Sequence, residues 1–451
     1  MPHTLIFDIG KTNKKAFLFD ANYQVVKKVY TRFEEQQDED DFPCDDLSAI
    51  QKWIQETLHS VLTVEQYDIQ AINFSTYGAS FVHLDQKGNP LTTLYNYLKP
   101  IPKKVIHQFY KKYGSEIQIA QETASPPLAM LNSGLQLYWL KYTQPKVFKK
   151  IRWSLHFPQY LSYLITGIPV SEYTSIGCHT ALWDFSKKDY HNWVYAEAMD
   201  LILPPIVSTN TSINTTLFDQ KLKVGIGIHD SSAALLPYIR ADKKPFLLIS
   251  TGTWSISLNP FNKDLLTNEE LEKDCLNFMR TNGQPVKAAR LFLGAEYKLQ
   301  VEQLQTFFGE KNGAHKKVKF NKEWRQENRQ MKIGNFRFKY LKTPWQQPKK
   351  SQFQGFPNFT IAYHALMREF VQLQIEAANL AIGNTPISKI YIDGGFADNE
   401  VFVNLLKQAY KGVKIRTTQS PLGSAFGAAV VMADKVLKKR FLKKNYALRK
   451  I

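Results

Sequence analysis

The sequence predicts an α/β chain of two related domains with a cleft between them, and three observations predict it. The chain has 451 residues, enough for two or three domains of ordinary size. Short β-prone runs alternate with longer helical patterns along its length. A strand, glycine turn and strand occur twice, around Asp8-Ile9-Gly10-Lys11-Thr12 and around Ser250-Thr251-Gly252-Thr253-Trp254, as expected of a weak internal repeat. The expected division is into residues 1–220 and 221–451, joined around 217–224.

Taken in order, residues 4–8, 16–19 and 25–30 are β-prone and joined by turn-forming residues, a meander of antiparallel strands. Residues 47–62 carry Leu47, Ile50, Trp53, Ile54, Leu58 and Val61 on one helical face. Strands are expected at 69–75 and 79–84, and helices at 128–142 and 157–165, the last stopped by Gly167. Leu203-Pro204-Pro205 and the Ser/Thr/Asn-rich residues 208–216 read as a break. Strands resume at 246–251 and 253–258. A long amphipathic helix follows at 359–382, a strand at 389–392, a helix at 399–410 and a small-residue helix at 423–436.

Composition excludes several classes. With 44% apolar and 22% charged residues, the chain is neither wholly disordered nor fibrous. No apolar run approaches the ~18 residues of a membrane span, and residues 1–8 are too short and too soon acidic for a secretory signal. Cys44, Cys178 and Cys275 are odd in number and not at zinc-ligand spacing, which points to a reducing cytoplasm. The net charge of +18 is unevenly spread. Residues 311–350 hold thirteen basic residues and two acidic, 435–450 eight basic and none acidic, and 34–46 eight acidic and no base. Each reads as a solvated loop or terminal helix. Aromatics such as Trp324 and Phe336 lie among the basic residues, but no nucleic-acid motif surrounds them. The expected partner is a small molecule, with no nucleic acid and no membrane, and the expected assembly a monomer or homodimer.

Four segments carry candidate chemistry. In Asp8-Ile9-Gly10-Lys11-Thr12-Asn13-Lys14-Lys15, Gly10 permits a tight turn whose N–H groups can face an anion. Thr12 and Asn13 add neutral donors and Lys15 a cation, and Asp8 at a strand end can hold Mg²⁺, usually through water. Read alone, the segment is better explained as a polar hairpin turn. Ser250-Thr251-Gly252-Thr253 can form a second phosphate clamp, or an ordinary turn. Asp393-Gly394-Gly395 leaves a strand just before a helix; the glycine pair lets backbone approach a flat ligand, or simply makes the turn. In Gly225-Ile226-Gly227-Ile228-His229-Asp230-Ser231-Ser232, Asp230 begins a helix whose dipole keeps it ionised. Alone it reads as an N-cap. Together, in this order, the four are far more specific.

In these segments the sequence resembles the FGGY carbohydrate kinases, two-domain enzymes of the actin-like ATPase superfamily, over residues 7–433. Within that family it is most similar to rhamnulokinases. Ser75-Thr76-Tyr77-Gly78, Pro158-Gln159-Tyr160-Leu161-Ser162-Tyr163, His229-Asp230-Ser231 and Thr251-Gly252-Thr253-Trp254-Ser255 carry that likeness. The resemblance implies two actin-like (ribonuclease H-like) ATPase domains with an interdomain active-site cleft. It implies ATP and Mg²⁺ as cofactors and a ketose as acceptor, L-rhamnulose or L-fuculose first and a pentulose next. Asp230 would be the general base; Gly78, His229 and Ser231 would line the sugar site. Asp8, Gly10, Lys11, Thr12, Asn13, Lys15, Gly252 and Thr253 would serve the phosphates, and Gly394, Gly395 and Asn399 the adenosine. The sequence departs from the family at Lys11, at Gln159, in Tyr95-Asn96-Tyr97-Leu98-Lys99-Pro100, which lacks the usual Asp and Arg, and near Leu291, where an Asn is expected. The alternative is an ATP-binding sensor of the same fold without kinase activity.

Overall fold

Two mixed β-sheets of one plan organise the chain. The computed structural model describes residues 2–64, 67–321, 333–419, 422–433, 437 and 441–451. In the first sheet, β1 (His3–Ile9), β2 (Lys14–Phe19) and β3 (Val25–Thr31) form an antiparallel meander. β4 (Ile69–Thr76) lies parallel to β1 on its other side. β5 (Ser212–Leu217) and β6 (Gln220–Gly225) form a hairpin that pairs with β4 through β6, and the short β7 (Ile228–His229) pairs with the end of β4.

The second sheet repeats the arrangement. β8 (Phe246–Thr251) and β9 (Ser255–Asn259) are antiparallel, and the hairpin of β10 (Cys275–Met279) and β11 (Pro285–Leu291) extends them. β12 (Lys389–Gly394) lies parallel to β8, β13 (Lys414–Thr418) parallel to β12, and β14 (Arg449–Lys450) closes the edge. In both sheets antiparallel strands lie on one side of the first strand and a parallel strand on the other.

Helices α1 (Leu47–His59) and α2 (Phe157–Thr166) cover the first sheet, adding Trp53, Ile54, Tyr160 and Leu161 to the core around Phe7 and Phe74. α4 (Leu293–Phe308), α5 (Phe359–Ile382) and α6 (Glu400–Ala409) build the core of the second lobe. Between them, α3 (Asp230–Ala241) and α7 (Gly423–Val431) cross in close contact. A Cβ on Gly427 would stand 1.8 Å from the Ala233 carbonyl oxygen, so the crossing requires glycine. Their core takes Phe17 and Phe19 from the first sheet and Phe246 and Leu248 from the second.

The structure differs from the sequence reading in several places. Residues 212–225 are a hairpin of the first sheet, not a break and a joint. The first lobe therefore runs past the expected division at 220/221, and the chain passes between lobes through α3. β5 reads as a loop because it is a half-exposed polar edge strand, SINTTL. The helix expected at 128–142 starts only at Ser133, and helices Lys103–Tyr113 and Glu116–Thr123 were not expected. The acidic stretch 34–46 is no solvated loop throughout. Asp45 is buried and takes Lys14 at 2.7 Å and Lys11 at 2.8 Å, and buried Asp38 takes Lys99 at 2.7 Å; each charge is compensated by a partner distant in sequence.

The basic segment is likewise anchored where it is described. Glu296 accepts from the Lys339 and Tyr340 N–H groups, and Glu369 from those of Gly334 and Asn335. Phe336 and Phe338 are buried. Trp324 and the rest of 322–332 lie outside the described residues, as do 434–436 and 438–440 of the expected terminal helices. Beyond them Phe441, Leu442 and Tyr446 are buried, so the C-terminus is docked rather than solvated.

Candidate active site

The site begins with strand register. Asp8 on β1 lies beside Ser75 on β4, and Ser75 beside Ile228 on β7, so the chain brings Asp8 and the His229-Asp230 pair to one end of the sheet. That is the carboxyl end of the parallel strands, where open α/β sheets bind ligands. Asp230 is the first residue of α3, with His229 as its N-cap. Its Oδ1 lies 3.1 Å from His229 Nε2 and accepts from Ser231 Oγ at 3.2 Å. Gly78 faces this pair: a Cβ there would stand 2.6 Å from Cys178 Sγ and 3.1 Å from His229 Cδ2.

Asp8 is reached from the other lobe. Ser424, in the first turn of α7, donates to Asp8 Oδ1 at 2.7 Å. Loss of hydration pushes the Asp8 carboxyl up to about 6; the Asp230 charge adds to the rise, and Ser424 and Lys15 oppose it. Lys15 stands directly opposite Asp8 across the β1–β2 ladder. Gly10 closes the turn by donating its N–H to the Asn13 carbonyl at 2.9 Å. Thr12 is exposed.

Two side chains of this loop are held elsewhere. Lys11 Nζ is 2.8 Å from both Asp45 and Glu35, and Asn13 Oδ1 accepts from Tyr30 and Arg32. Asp45, the clamp on Lys11 and Lys14, lies 34 residues from Lys11 and is marked by no local motif.

In the second lobe, Thr251 pairs with Gly394 across β8 and β12. Thr251 Oγ1 donates to the Asp393 carbonyl at 2.6 Å and accepts from the Phe396 N–H at 3.0 Å. Gly394 has φ +87°, and a Cβ on it would fall 1.9 Å from the Thr251 carbonyl oxygen; only glycine fits. Gly395 meets nothing within 4 Å at its Cβ position and presents open backbone. Gly252 and Thr253 are exposed at their turn, and the Thr253 carbonyl accepts from Gly294 and Ala295 at the start of α4. Gly294, unremarked in the sequence, is required there, its Cβ position being 1.9 Å from the Gly252 oxygen. Gly252, Thr253, Gly294, Ala295, Lys298 and Tyr340 line a cavity of about 490 Å³. Asn399 is the N-cap of α6, accepting from Phe402 and donating to Tyr363, so its side chain is committed to structure.

A larger cavity, about 850 Å³, opens between the lobes, with Tyr97, Lys99 and Leu131 on one wall and Trp254, Asp274 and Arg290 on the other. Tyr97 also feels the Asp230 charge: burial raises its hydroxyl pKa, Lys11 opposes, and Asp230 adds to the rise. Arg290 grips Asp274 through Nε at 3.1 Å and Nη2 at 2.7 Å and lies over Trp254. The departures from the family pattern have structural partners here. Gln159 donates to the Ile226 carbonyl below the β6–β7 turn, and Lys99 lies over Tyr95 and Trp139 with its charge on Asp38.

The family model for the N-terminal domain of the FGGY family of carbohydrate kinases matches residues 3–236, and the FGGY C-terminal domain model matches 243–440. The chain belongs to the FGGY family of carbohydrate kinases. This FGGY chain is 26% identical over 269 residues to a rhamnulokinase of Halalkalibacterium halodurans, across 57% of its own length and 56% of that protein. The match thus spans little more than half of that relative. Its fold matches a carbohydrate kinase from Novosphingobium aromaticivorans at TM-score 0.79 and 22% identity, covering 99% of this chain and 93% of that one. It also matches Plasmodium falciparum glycerol kinase with ADP at TM-score 0.70 and 14% identity, covering 96% and 89%. The two-lobed fold with its cleft is therefore the one carbohydrate kinases use. Among the described residues no helix is long and apolar enough to cross a membrane.

Mg²⁺ fits the residues present. Among the described residues no three His, Cys, Asp or Glu side chains gather as a metal cage. A poorly hydrated Asp8 beside a second carboxylate instead suits an ion that keeps its waters and binds chiefly substrate phosphates.

Proposed function

We propose that this chain is an ATP-dependent carbohydrate kinase that phosphorylates a ketose, with Asp230 as general base. The observation that carries the reading is the convergence just described. Asp8 on β1 and Asp230, just after β7, flank β4 from either side in one lobe, close enough for one charge to raise the other's pKa, while Gly252-Thr253 and Gly394-Gly395 follow the paired strands β8 and β12 of the other. Phosphoryl transfer needs an oriented hydroxyl on one side and a held triphosphate on the other.

Asp230, half-buried and supported by His229 and Ser231, orients the acceptor hydroxyl and takes its proton. Lys15 and the N–H groups of Lys11 to Asn13 address the phosphates from the first lobe, and the Gly252-Thr253 turn from the second. Gly395 offers its open backbone to the adenosine, next to the cavity along α4. Mg²⁺, when bound near Asp8, supplies charge neutralisation for the phosphoryl oxygens. The acceptor occupies the interdomain cavity between Tyr97 and Trp254. A 6-deoxyketose such as L-rhamnulose or L-fuculose is the first choice, in keeping with the rhamnulokinase relative, and a pentulose the next. The three cysteines are free and buried, which suits the reducing cytoplasm.

Coupled ADP release over L-rhamnulose, L-fuculose, xylulose and ribulose, with wild type and Asp230→Asn, tests this. At least one ketose should stimulate turnover, and the variant should lose at least ~10²-fold while still binding ATP. Near-normal turnover in Asp230→Asn removes the base. No stimulation by any ketose favours an ATP-binding sensor.

A further inference from the structure

Two groups address the same nitrogen of His229. Its Nε2 lies 3.2 Å from Cys178 Sγ and 3.1 Å from Asp230 Oδ1. Its Nδ1 lies 3.4 Å from Ser232 Oγ, and Ser232 donates its own hydrogen to the Met279 carbonyl at 3.1 Å. Ser232 therefore accepts from Nδ1, which carries a proton. A neutral ring with that proton on Nδ1 would turn an Nε2 lone pair toward the Asp230 carboxylate, a repulsive arrangement. A second proton, on Nε2, removes the repulsion. The acid in contact with Nε2 that can give it is the Cys178 thiol, so the ring becomes an imidazolium between a thiolate and a carboxylate.

We propose that Cys178 is a positioning residue for phosphoryl transfer: its sulfur, as counter-anion to His229, keeps a proton on Nε2 and so keeps a cationic donor on Asp230. The inference rests on the reading of Asp230 as the base. The geometry leaves the sulfur no other place. Cys178 is fully buried, Gly78 closes the space beside it, and the Phe278 ring meets His229 edge-on at 5.4 Å.

The charged surroundings agree. Burial pushes the Cys178 thiol up, but the imidazoles of His179 and His229 outweigh it and bring it down to about 6. Burial likewise opposes the His229 cation, yet Cys178 and Asp230 hold it well above its ordinary value. His156, across the pocket, is kept neutral by burial and by the His229 charge. The other two thiols behave oppositely: burial raises Cys44, and Cys275 up to about 12. A thiolate at neutral pH thus belongs to Cys178 alone.

Cys178→Ser separates this role from packing, because a serine hydroxyl fills the place and still hydrogen-bonds the ring but does not give up its proton. The full-length wild type should show a thiolate absorbance step near pH 6, absent from Cys178→Ser. With the most active ketose of the four above, that variant should keep its KM for ATP. Its kcat should fall roughly tenfold above about pH 6, where only the wild type carries the anion that holds the proton on His229, and approach the wild-type value below it. Absence of the absorbance step, or a wild-type pH profile in Cys178→Ser, overturns the proposal. Near-normal turnover in Asp230→Asn with the step intact overturns the base assignment instead.

Discussion

At the scale of single residues, Asp8 is held at a cost that the proposed role near the phosphates would explain. Its carboxyl sits at about 6 instead of 3.8, chiefly through lost hydration. A folded-state pKa raised above the unfolded value means a contribution present below the unfolded value and lost as pH rises through the folded one. Ionised Asp8 therefore destabilises the ligand-free protein above pH ~6. Asp8→Asn keeps an acceptor for Ser424 and removes that charge. It should melt roughly 2–4 °C higher than wild type near pH 8 and no higher near pH 4, while ketose-dependent turnover is lost. Thermal melts at both pH values check the sign; equal shifts at both would mean the charge is not the cause. Asp8 and Asp230 were legible in the sequence because each stands in a short contiguous motif. The clamp of Asp45 on Lys11 and the contact of Cys178 with His229 were not, because their partners lie 34 and 51 residues apart and only the fold brings them together.

At the scale of elements, what was legible depended on local signals. α5 was expected from its amphipathic pattern, and the structure gives it the same bounds, with Asn358 capping one end by accepting from Ile361 and Gly383 ending the other. The β5–β6 hairpin was missed because a half-exposed strand of Ser, Thr and Asn carries the composition of a loop. The small-residue pattern of α7 announced close packing, and its partner proved to be α3, the helix that begins with Asp230. This sets a demand on Gly427. A methyl group there meets the Ala233 backbone at 1.8 Å, and no side-chain rotation can relieve a clash with backbone. Gly427→Ala should cost at least ~2 kcal/mol in denaturant unfolding and shift α3 enough to lower turnover. A variant as stable and active as wild type would mean the helices cross more loosely than this.

At the scale of the whole molecule, one half echoes the plan of the other. Each sheet has an antiparallel strand on one side of its first strand and a parallel strand on the other, and each first strand leads into a glycine-bearing turn. The two lobes share a core through α3 and α7, so they are hinged at the base while the cavity of about 850 Å³ stands open between their walls. If, as proposed, Asp230 acts from one lobe and the Gly252-Thr253 turn from the other, the reacting groups are completed only when something bridges the walls. On the proposed mechanism a ketose held between Tyr97 and Trp254 bridges them and water does not. ATP hydrolysis without sugar should accordingly run at least ~10²-fold slower than the best ketose-stimulated rate, and adding ATP alone should leave the scattering radius of gyration nearly unchanged. ATP with a non-reactive ketose analogue should contract it. Sugar-independent hydrolysis within tenfold of the stimulated rate would show that closure does not gate the chemistry, and that water reaches the phosphates as readily as the acceptor does.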